Sequence, residues 1–296
     1  MKMKKLFPLL LLLMMLAPAA LAEQGTVTFL EVTVPTDCTY VDLGAKAVRD
    51  LDALEAFLDQ LPQVTQVDMY ATKMKRDACD RLAQRYPQIT FGWTLSFGDH
   101  TLRTDATAFS TLHNNKSPTH SSQDFSILKY CKNLQALDIG HNKVDDLTFL
   151  YDLPHLKVLI LACNAVTDIT PLSSLPELEY LELFKNKITD LTPLSGLTRL
   201  KDLNICFNKV KDYAPLTGLT QLERLWIYNS DNYSDTIPLP KSVVSMLKDA
   251  LPDTHIDSTH YSTLGGWREH PRYDVIYKMF SGTEYIPFDA EEATVQ

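Results

Sequence analysis

Apolar residues recur every 22 positions through the middle of the chain. The first leucine of each unit is Leu134, Leu156, Leu178, Leu200 or Leu222. Later places in the units hold Leu137, Leu159, Leu181, Leu203 and Leu225, then Ile139, Leu161, Leu183, Ile205 and Ile227. This alternation predicts one short β-strand per unit, with one face buried. A single unit cannot cover its own apolar residues, so we expect the units to stack with parallel strands about 4.8 Å apart.

Each unit ends its strand at an asparagine and returns through a turn. The asparagines are Asn142, Asn164, Asn186 and Asn208. An amide side chain both donates and accepts hydrogen bonds, so stacked asparagines can pair the backbone groups at the bend, and we interpret them as a structural ladder. An aspartate followed by a proline, as in Asp168 and Pro171, predicts a tight return or a short 3₁₀ segment, because proline fixes φ.

The complete pattern, L-x-x-L-x-L-x-x-N-x-[IV]-x-D-[IL]-x-P-L-x-x-L, resembles the internalin-like leucine-rich repeat of 22 residues over positions 134–221. The unit that begins at Leu222 matches in part, because Ser230 replaces the asparagine. The resemblance implies an α/β fold, a right-handed horseshoe solenoid with a parallel sheet on its concave side. It also implies a protein-interaction role, without naming a partner. The immunoglobulin-like domain and wall anchor of internalins are not apparent.

The regions on either side of the repeats predict caps. Residues 40–43 and 64–69 each predict a strand before an amphipathic helix, and alternation over 91–97 predicts a strand that enters a hairpin at Gly98 and Asp99. We therefore expect a helical N-terminal cap with irregular repeats over 23–106, and a repeat array over 107–230 whose first strand lies at 107–112.

After the array we expect a C-terminal cap over 231–296. It should contain a helix at 241–250, a strand at 254–257 and a last helix after Pro271. The apolar face predicted for that helix consists of Tyr273, Ile276, Tyr277 and Phe280. We expect Trp267 to cover the open end of the solenoid, as terminal repeats require.

The first residues predict export. Lysines precede an apolar run and a small-x-small site ends at Ala22, which is typical of a signal peptide over 1–22 that is cleaved after Ala22. We expect a secreted or extracytoplasmic bacterial product with no membrane span and no lipid or wall anchor. A formal charge of −9 disfavours nucleic acid as a partner, because duplex binding depends on cationic side chains.

Five cysteines in an exported chain raise the question of disulfides. Cys163 and Cys206 lie two repeats apart, so their backbones should be about 10 Å apart, too far to pair. A bond between Cys38 and Cys79 stays open, and Cys131 is interpreted as a buried substitute for leucine.

Metal and catalytic patterns are weak. His255, Asp257 and His260 lack a second ligand pair at a familiar spacing, and His113 and His120 are interpreted as solvated loop residues. No nucleophile or metalloprotease motif is present. We therefore expect no metal, no cofactor and no catalytic residue.

The concave strand face is the candidate ligand site. Aromatic and charged residues gather on its last three repeats, and exposed patches of this kind mark interaction sites. The predicted ligand-binding residues are Tyr180, Glu182, Phe184, Asp202, Phe207, Arg224, Trp226 and Tyr228. The alternative is that the C-terminal cap or the 231–240 loop covers these side chains.

The sequence thus favours an exported, non-catalytic, monomeric recognition protein that binds a protein or peptide on its concave face. A carbohydrate or cell-wall binder that uses the same aromatic strip is the alternative. A hydrolase acting through a carboxylate such as Glu182 is a weaker one.

Overall fold

A computed structural model describes residues 25–111, 120–228, 239–259, 263 and 266–289. The predicted signal peptide, His113, Ser230 and His260 lie outside these residues. None of the helices in the described part combines the length and apolar character that a bilayer crossing needs.

The N-terminal part is a hairpin followed by a four-stranded sheet with two helices. Its elements are β1 (Thr26–Phe29), β2 (Val32–Pro35), β3 (Tyr40–Asp42), α1 (Leu51–Leu58), β4 (Gln66–Met74), α2 (Arg76–Arg85), β5 (Thr90–Phe97) and β6 (His100–Arg103). The sheet order is β3-β4-β5-β6, with only the β5–β6 pair antiparallel. Both predicted helices and the hairpin at Gly98 are present, whereas sequence analysis did not predict the β1–β2 hairpin.

The repeats form a seven-stranded sheet. Its strands are β7 (Ala108–Ser110), β8 (Ala136–Asp138), β9 (Val158–Ile160), β10 (Tyr180–Glu182), β11 (Asp202–Asn204), β12 (Arg224–Trp226) and β13 (His255–Asp257). All neighbouring pairs are parallel and follow the order of the chain. The strand predicted at 254–257 therefore extends the sheet of the repeats.

The register of this sheet confirms the predicted stacking. Leu181 pairs with Leu159 on one side and with Leu203 on the other. All three side chains are fully buried, as is Cys131, which occupies a leucine place. The convex side of the sheet thus faces one hydrophobic interior that runs through all the coils.

The helices that follow the N-terminal part are α3 (Ser122–Phe125), α4 (Lys241–Ala250) and α5 (Pro271–Gly282). Short 3₁₀ helices make the returns, at Ser126–Tyr130, Thr148–Asp152, Thr170–Ser174, Thr192–Leu194 and Ala214–Leu216. At one of these returns, Asp168 Oδ1 accepts a hydrogen bond from the Thr170 backbone N–H at 2.8 Å.

The asparagines bond the backbone of neighbouring coils. Asn186 Oδ1 accepts from Val166 N at 3.1 Å, and its Nδ2 donates to Leu161 O and Leu183 O at 2.9 and 3.1 Å. Asn164 and Asn208 make equivalent bonds. Each asparagine therefore joins its own strand end to the preceding coil.

The five cysteines are all free thiols in the structure. The open pairing of Cys38 with Cys79 is therefore not formed, and neither is one between Cys163 and Cys206.

Replacing Asn186 by alanine should destabilise the fold, because it leaves buried backbone groups of two coils without their partners. We expect the free energy of unfolding to fall by about 2–4 kcal/mol, measured by urea denaturation. Lys187→Ala is the matched control, since its side chain is exposed and its backbone bond to Val166 O is kept. Equal stability of the two variants would contradict the ladder interpretation.

Candidate functional site

The concave face of the sheet is covered by the chain's own C-terminal segment, which here means residues 266–289. The eight predicted ligand-binding residues are only 0–7% exposed. Aromatic members of this set belong to a second hydrophobic core that includes Trp267 and Phe288. The expectation of a solvent-facing strip is wrong. The segment contacts Tyr180, Glu182, Asp202, Arg224 and Trp226, while most of the 231–240 loop, the other cover considered, lies outside the described residues. The role of these residues in ligand binding stays a prediction.

Helix α5 lies on the concave face. Pro271 occupies its first turn, and the His270 ring nitrogen accepts a hydrogen bond from Arg272 N. The side chains that the helix buries are Val275, Ile276, Met279 and Phe280. The predicted face was wrong in part, because Tyr277 is 61% exposed. Apolar pairs spaced four residues apart (Val275 with Met279, Ile276 with Phe280) define the buried face instead.

Trp267 anchors the beginning of the segment. It is fully buried, and its ring centroid lies 5.4 Å from that of Tyr180 and 5.6 Å from that of Trp226. Its indole N–H donates to Glu182 Oε2 at 3.1 Å. The prediction that Trp267 closes the end of the solenoid was therefore wrong. An end strand, β13, already extends the sheet there, and the aromatic concave face offers the tryptophan both ring contacts and an acceptor.

Charged groups hold the segment beside this anchor. Asp202 is fully buried and accepts hydrogen bonds from Arg224, at 2.6 Å, and from Arg272 of the segment, at 2.5 Å. The second terminal nitrogen of Arg272 donates to Glu223 at 2.6 Å. Arg224 Nη1 also donates to the Trp267 carbonyl at 3.1 Å. These bonds join β11 and β12 to the segment through charged groups, which makes them stronger than neutral ones.

The far end of the segment reaches the other edge of the repeats. The Ala108 backbone N–H donates to Thr283 O at 3.1 Å, and Tyr285 N donates to the Thr107 hydroxyl at 2.8 Å. The segment therefore crosses the concave face from β12 to β7.

Acidic groups of the strands are buried under this cover. Burial raises the pKa of Asp138 to about 7, although the Gly140 N–H and the Ser110 hydroxyl donate to its carboxylate. Burial also raises the pKa of Glu182, while the positive charge of Arg268 acts against that rise. The strands thus present carboxylates to a segment that carries guanidinium groups.

The polar groups under the cover are incompletely satisfied. Four buried side-chain atoms there make no hydrogen bond to the described residues: Glu182 Oε1, Asn204 Nδ2, Arg224 Nη2 and Arg268 Nε. An unsatisfied buried polar group opposes folding by about 1–3 kcal/mol. The segment therefore makes good hydrogen bonds to the face through Trp267 and Arg272, while neighbouring polar atoms of both face and segment are left without hydrogen bonds.

Sequence reasoning missed three residues of this site: Trp267 as a concave-face residue, Arg268 and Arg272. The i, i+4 spacing of apolar residues in α5 predicts a buried helix face. It does not say which surface that face covers, because these residues lie outside the repeat register.

The structure locates two of the histidines that the sequence analysis considered. His255, considered as a metal ligand, is exposed on β13. His120 is 4% exposed, so its interpretation as solvated was wrong. It packs against the β5–β6 hairpin, where its ring meets His100 at a centroid distance of 5.0 Å.

Comparison with known proteins identifies the repeats. Residues 154–196 match a family model described as leucine-rich repeats in two copies, and residues 130–147 match a leucine-rich repeat model. The chain contains leucine-rich repeats. No curated protein matches the sequence significantly.

Similar solved structures include two internalins of Listeria monocytogenes. Internalin C2 is 24% identical with a TM-score of 0.41, over 69% of this chain and 74% of that chain. Internalin F is 21% identical with a TM-score of 0.42, over 74% of this chain and 69% of that one. The leucine-rich repeat ectodomain of the Arabidopsis thaliana receptor kinase SOBIR1 is 18% identical with a TM-score of 0.34, over 44% and 68%. Similarity at this level says nothing about what the chain binds.

The buried Asp138 should make stability depend on pH. Its folded-state pKa of about 7 lies above the value near 4 of an unfolded aspartate, so the folded state binds more protons between these values. The contribution of Asp138 to the free energy of unfolding is therefore lost as pH rises from about 4 to about 7. This loss amounts to at most about 4 kcal/mol.

Asp138→Asn removes this titration and keeps the shape of the side chain. Urea unfolding of both proteins at several pH values should show that the loss of stability with rising pH is smaller in the variant. Identical pH profiles for the two proteins would contradict a buried, titrating Asp138.

Proposed function

We propose that this chain is an exported recognition protein that binds a protein or peptide on the concave face of its leucine-rich repeats. In this proposal its C-terminal segment occupies the face intramolecularly, and a partner binds by displacing the segment. The segment is then a model of the ligand, with a tryptophan and an arginine as its anchors.

The observation that carries the proposal is the charged contact between Asp202 and Arg272 beneath the cover. A face that serves only as a core is expected to be apolar, because a buried ion pair contributes little net stability compared with hydrophobic packing. Here the fully buried Asp202 accepts a hydrogen bond from Arg272 of the C-terminal segment. Such pairs favour specific recognition, since a partner that lacks the cation leaves the carboxylate unpaired.

The contacts of Trp267 support the same reading. Its ring fits between Tyr180 and Trp226 while its N–H donates to Glu182. Tryptophan and arginine dominate the energetic centres of protein interfaces. We therefore expect a partner segment that presents an aromatic side chain and, close to it, a guanidinium group.

The unsatisfied polar atoms near this anchor make displacement feasible. A partner that hydrogen-bonds Glu182 Oε1 or Asn204 Nδ2 gains interactions that the C-terminal segment leaves unmade. The segment competes at a high effective concentration, because it is part of the same chain. A partner must therefore either bind tightly or meet a chain whose segment has been loosened.

Export and a bacterial source belong to this proposal and are supported by the sequence pattern of residues 1–22. A monomeric state belongs to it as well and is supported by the intramolecular cover on the concave face. We propose no catalytic role: Glu182, the carboxylate considered for hydrolysis, is fully buried and bonded to Trp267. A glycan ligand is the alternative outcome of the experiment below.

Loosening the segment should expose the site. Arg272→Ala removes two ion pairs that hold α5. A fluorescent synthetic peptide of residues 266–289 is the probe, and its binding to the full chain is measured by anisotropy. We expect the variant to bind the probe at least about tenfold more tightly than the native chain does, because the internal competitor is weakened.

Tyr277→Ala is the matched control, since it changes an exposed ring on the same helix. It should bind the probe as weakly as the native chain. Equal binding by all three proteins would contradict a displaceable cover, and release of the probe by soluble glycans but not by peptides would favour the glycan alternative.

A further inference from the structure

A buried histidine, a partly buried histidine and an aspartate converge where the N-terminal sheet meets the repeats. Asp99 lies in the β5–β6 hairpin, His100 begins β6, and His120 directly precedes the N-cap residue of α3. One oxygen or nitrogen atom of each of the three lies within 4.8 Å of the others. No other group of three or more metal-ligating side chains is this close in the part of the chain that the structure describes.

The distances between these atoms do not suit hydrogen bonds. His100 Nε2 lies 3.5 Å and His120 Nε2 lies 3.8 Å from Asp99 Oδ1, both longer than the range of an N–H···O bond. Both Nε2 atoms are buried and make no hydrogen bond to the described residues. The two imidazoles therefore direct unsatisfied nitrogens towards one carboxylate oxygen.

A metal ion would give both imidazole nitrogens a partner, with the Asp99 carboxylate as a third ligand. Ligand atoms of a tetrahedral zinc ion with bond lengths near 2.0–2.1 Å are about 3.3 Å apart. The two nitrogen–oxygen separations are close to that value, so small side-chain movements complete the geometry. Two imidazoles and one carboxylate are a ligand set that zinc uses, with its fourth position open to water. The Asp99 side chain is 36% exposed, which leaves a solvent side for that position.

The surroundings hold the two histidines in place. Phe97 packs against both rings, with centroid distances of 6.0 Å to His100 and 6.2 Å to His120. The His120 backbone N–H donates to Asn142 Oδ1 at 2.8 Å, so the first asparagine of the ladder positions this residue. At Gly98, which has a φ of +56°, an added Cβ would come within 2.3 Å of His120 Cε1. The glycine thus permits both the left-handed turn and the close approach of the ring.

We propose that Asp99, His100 and His120 form a zinc-binding site that fastens the N-terminal sheet to the repeat array. The ion would join the β5–β6 hairpin of the N-terminal sheet to His120, which directly precedes α3 at the beginning of the repeat array. This is a structural role, independent of the concave face. The sequence did not predict it, because the three ligands follow no familiar spacing and meet only through the fold.

The test is titration of the full chain with ZnCl₂ after dialysis against EDTA and into metal-free buffer, followed by calorimetry. We expect one zinc ion per chain and a Tm that rises by about 5–10 °C when free zinc is about 100-fold above Kd. Visible absorption of the cobalt-substituted protein is a second readout, since it reports the ligand geometry.

Two variants define the site. His120→Ala removes a buried ligand, and Asp99→Asn removes a ligand in an exposed turn that the fold tolerates, with circular dichroism to verify folding. Each should weaken zinc binding at least about tenfold, which at the same free zinc reduces the rise in Tm to about half or less. His155→Ala is the control, because it removes another imidazole–carboxylate pair, with Glu177, which lies on the surface.

Zinc binding that His155→Ala removes, or that Asp99→Asn leaves unchanged, would overturn the proposal, as would the absence of any binding by the native chain. In each case the His100–His120 pair would be a packing contact only.

Discussion

Each repeat buries its leucines only against its neighbours, and this shared interior imposes a parallel sheet on the chain. Leu159, Leu181 and Leu203 lie side by side in one column with no exposed surface. Once the convex side of the sheet is buried in this way, the strands have a second, concave face that either meets water or must be covered. Exposing the aromatic residues of the last repeats to water would be unfavourable, because it leaves a large apolar area solvated. The C-terminal segment covers it.

The cover combines the features of a core with those of an interface. Hydrophobic side chains of α5 supply area, while Trp267 and Arg272 supply directional contacts with Glu182 and Asp202. Directional contacts confer specificity, and the unsatisfied polar atoms between them limit the net stability of the covered state. These opposing effects are the physical basis for treating the segment as an internal ligand that a partner replaces.

The sequence predicted the features that depend on periodicity and missed those that depend on contacts between distant segments. The spacing of 22 residues determines the strand positions, the pairing of Leu181 with Leu203 and the places of the asparagines. It contains no information on where Trp267 docks, because that residue lies outside the register and its partners are distant in the chain. His100 and His120 show the same limit: a hairpin and a repeat bring them together, and no local pattern of residues indicates it.

The structure implies that the chain's own C-terminal segment occupies the concave face in solution. Nuclear Overhauser measurements on the full chain, with labelled tryptophan and tyrosine, test it most directly. We expect cross-peaks between the Trp267 indole and the Tyr180 ring, and slow solvent exchange of the indole N–H bonded to Glu182. A Trp267 indole that exchanges rapidly and shows no contact with Tyr180 or Trp226 would contradict it.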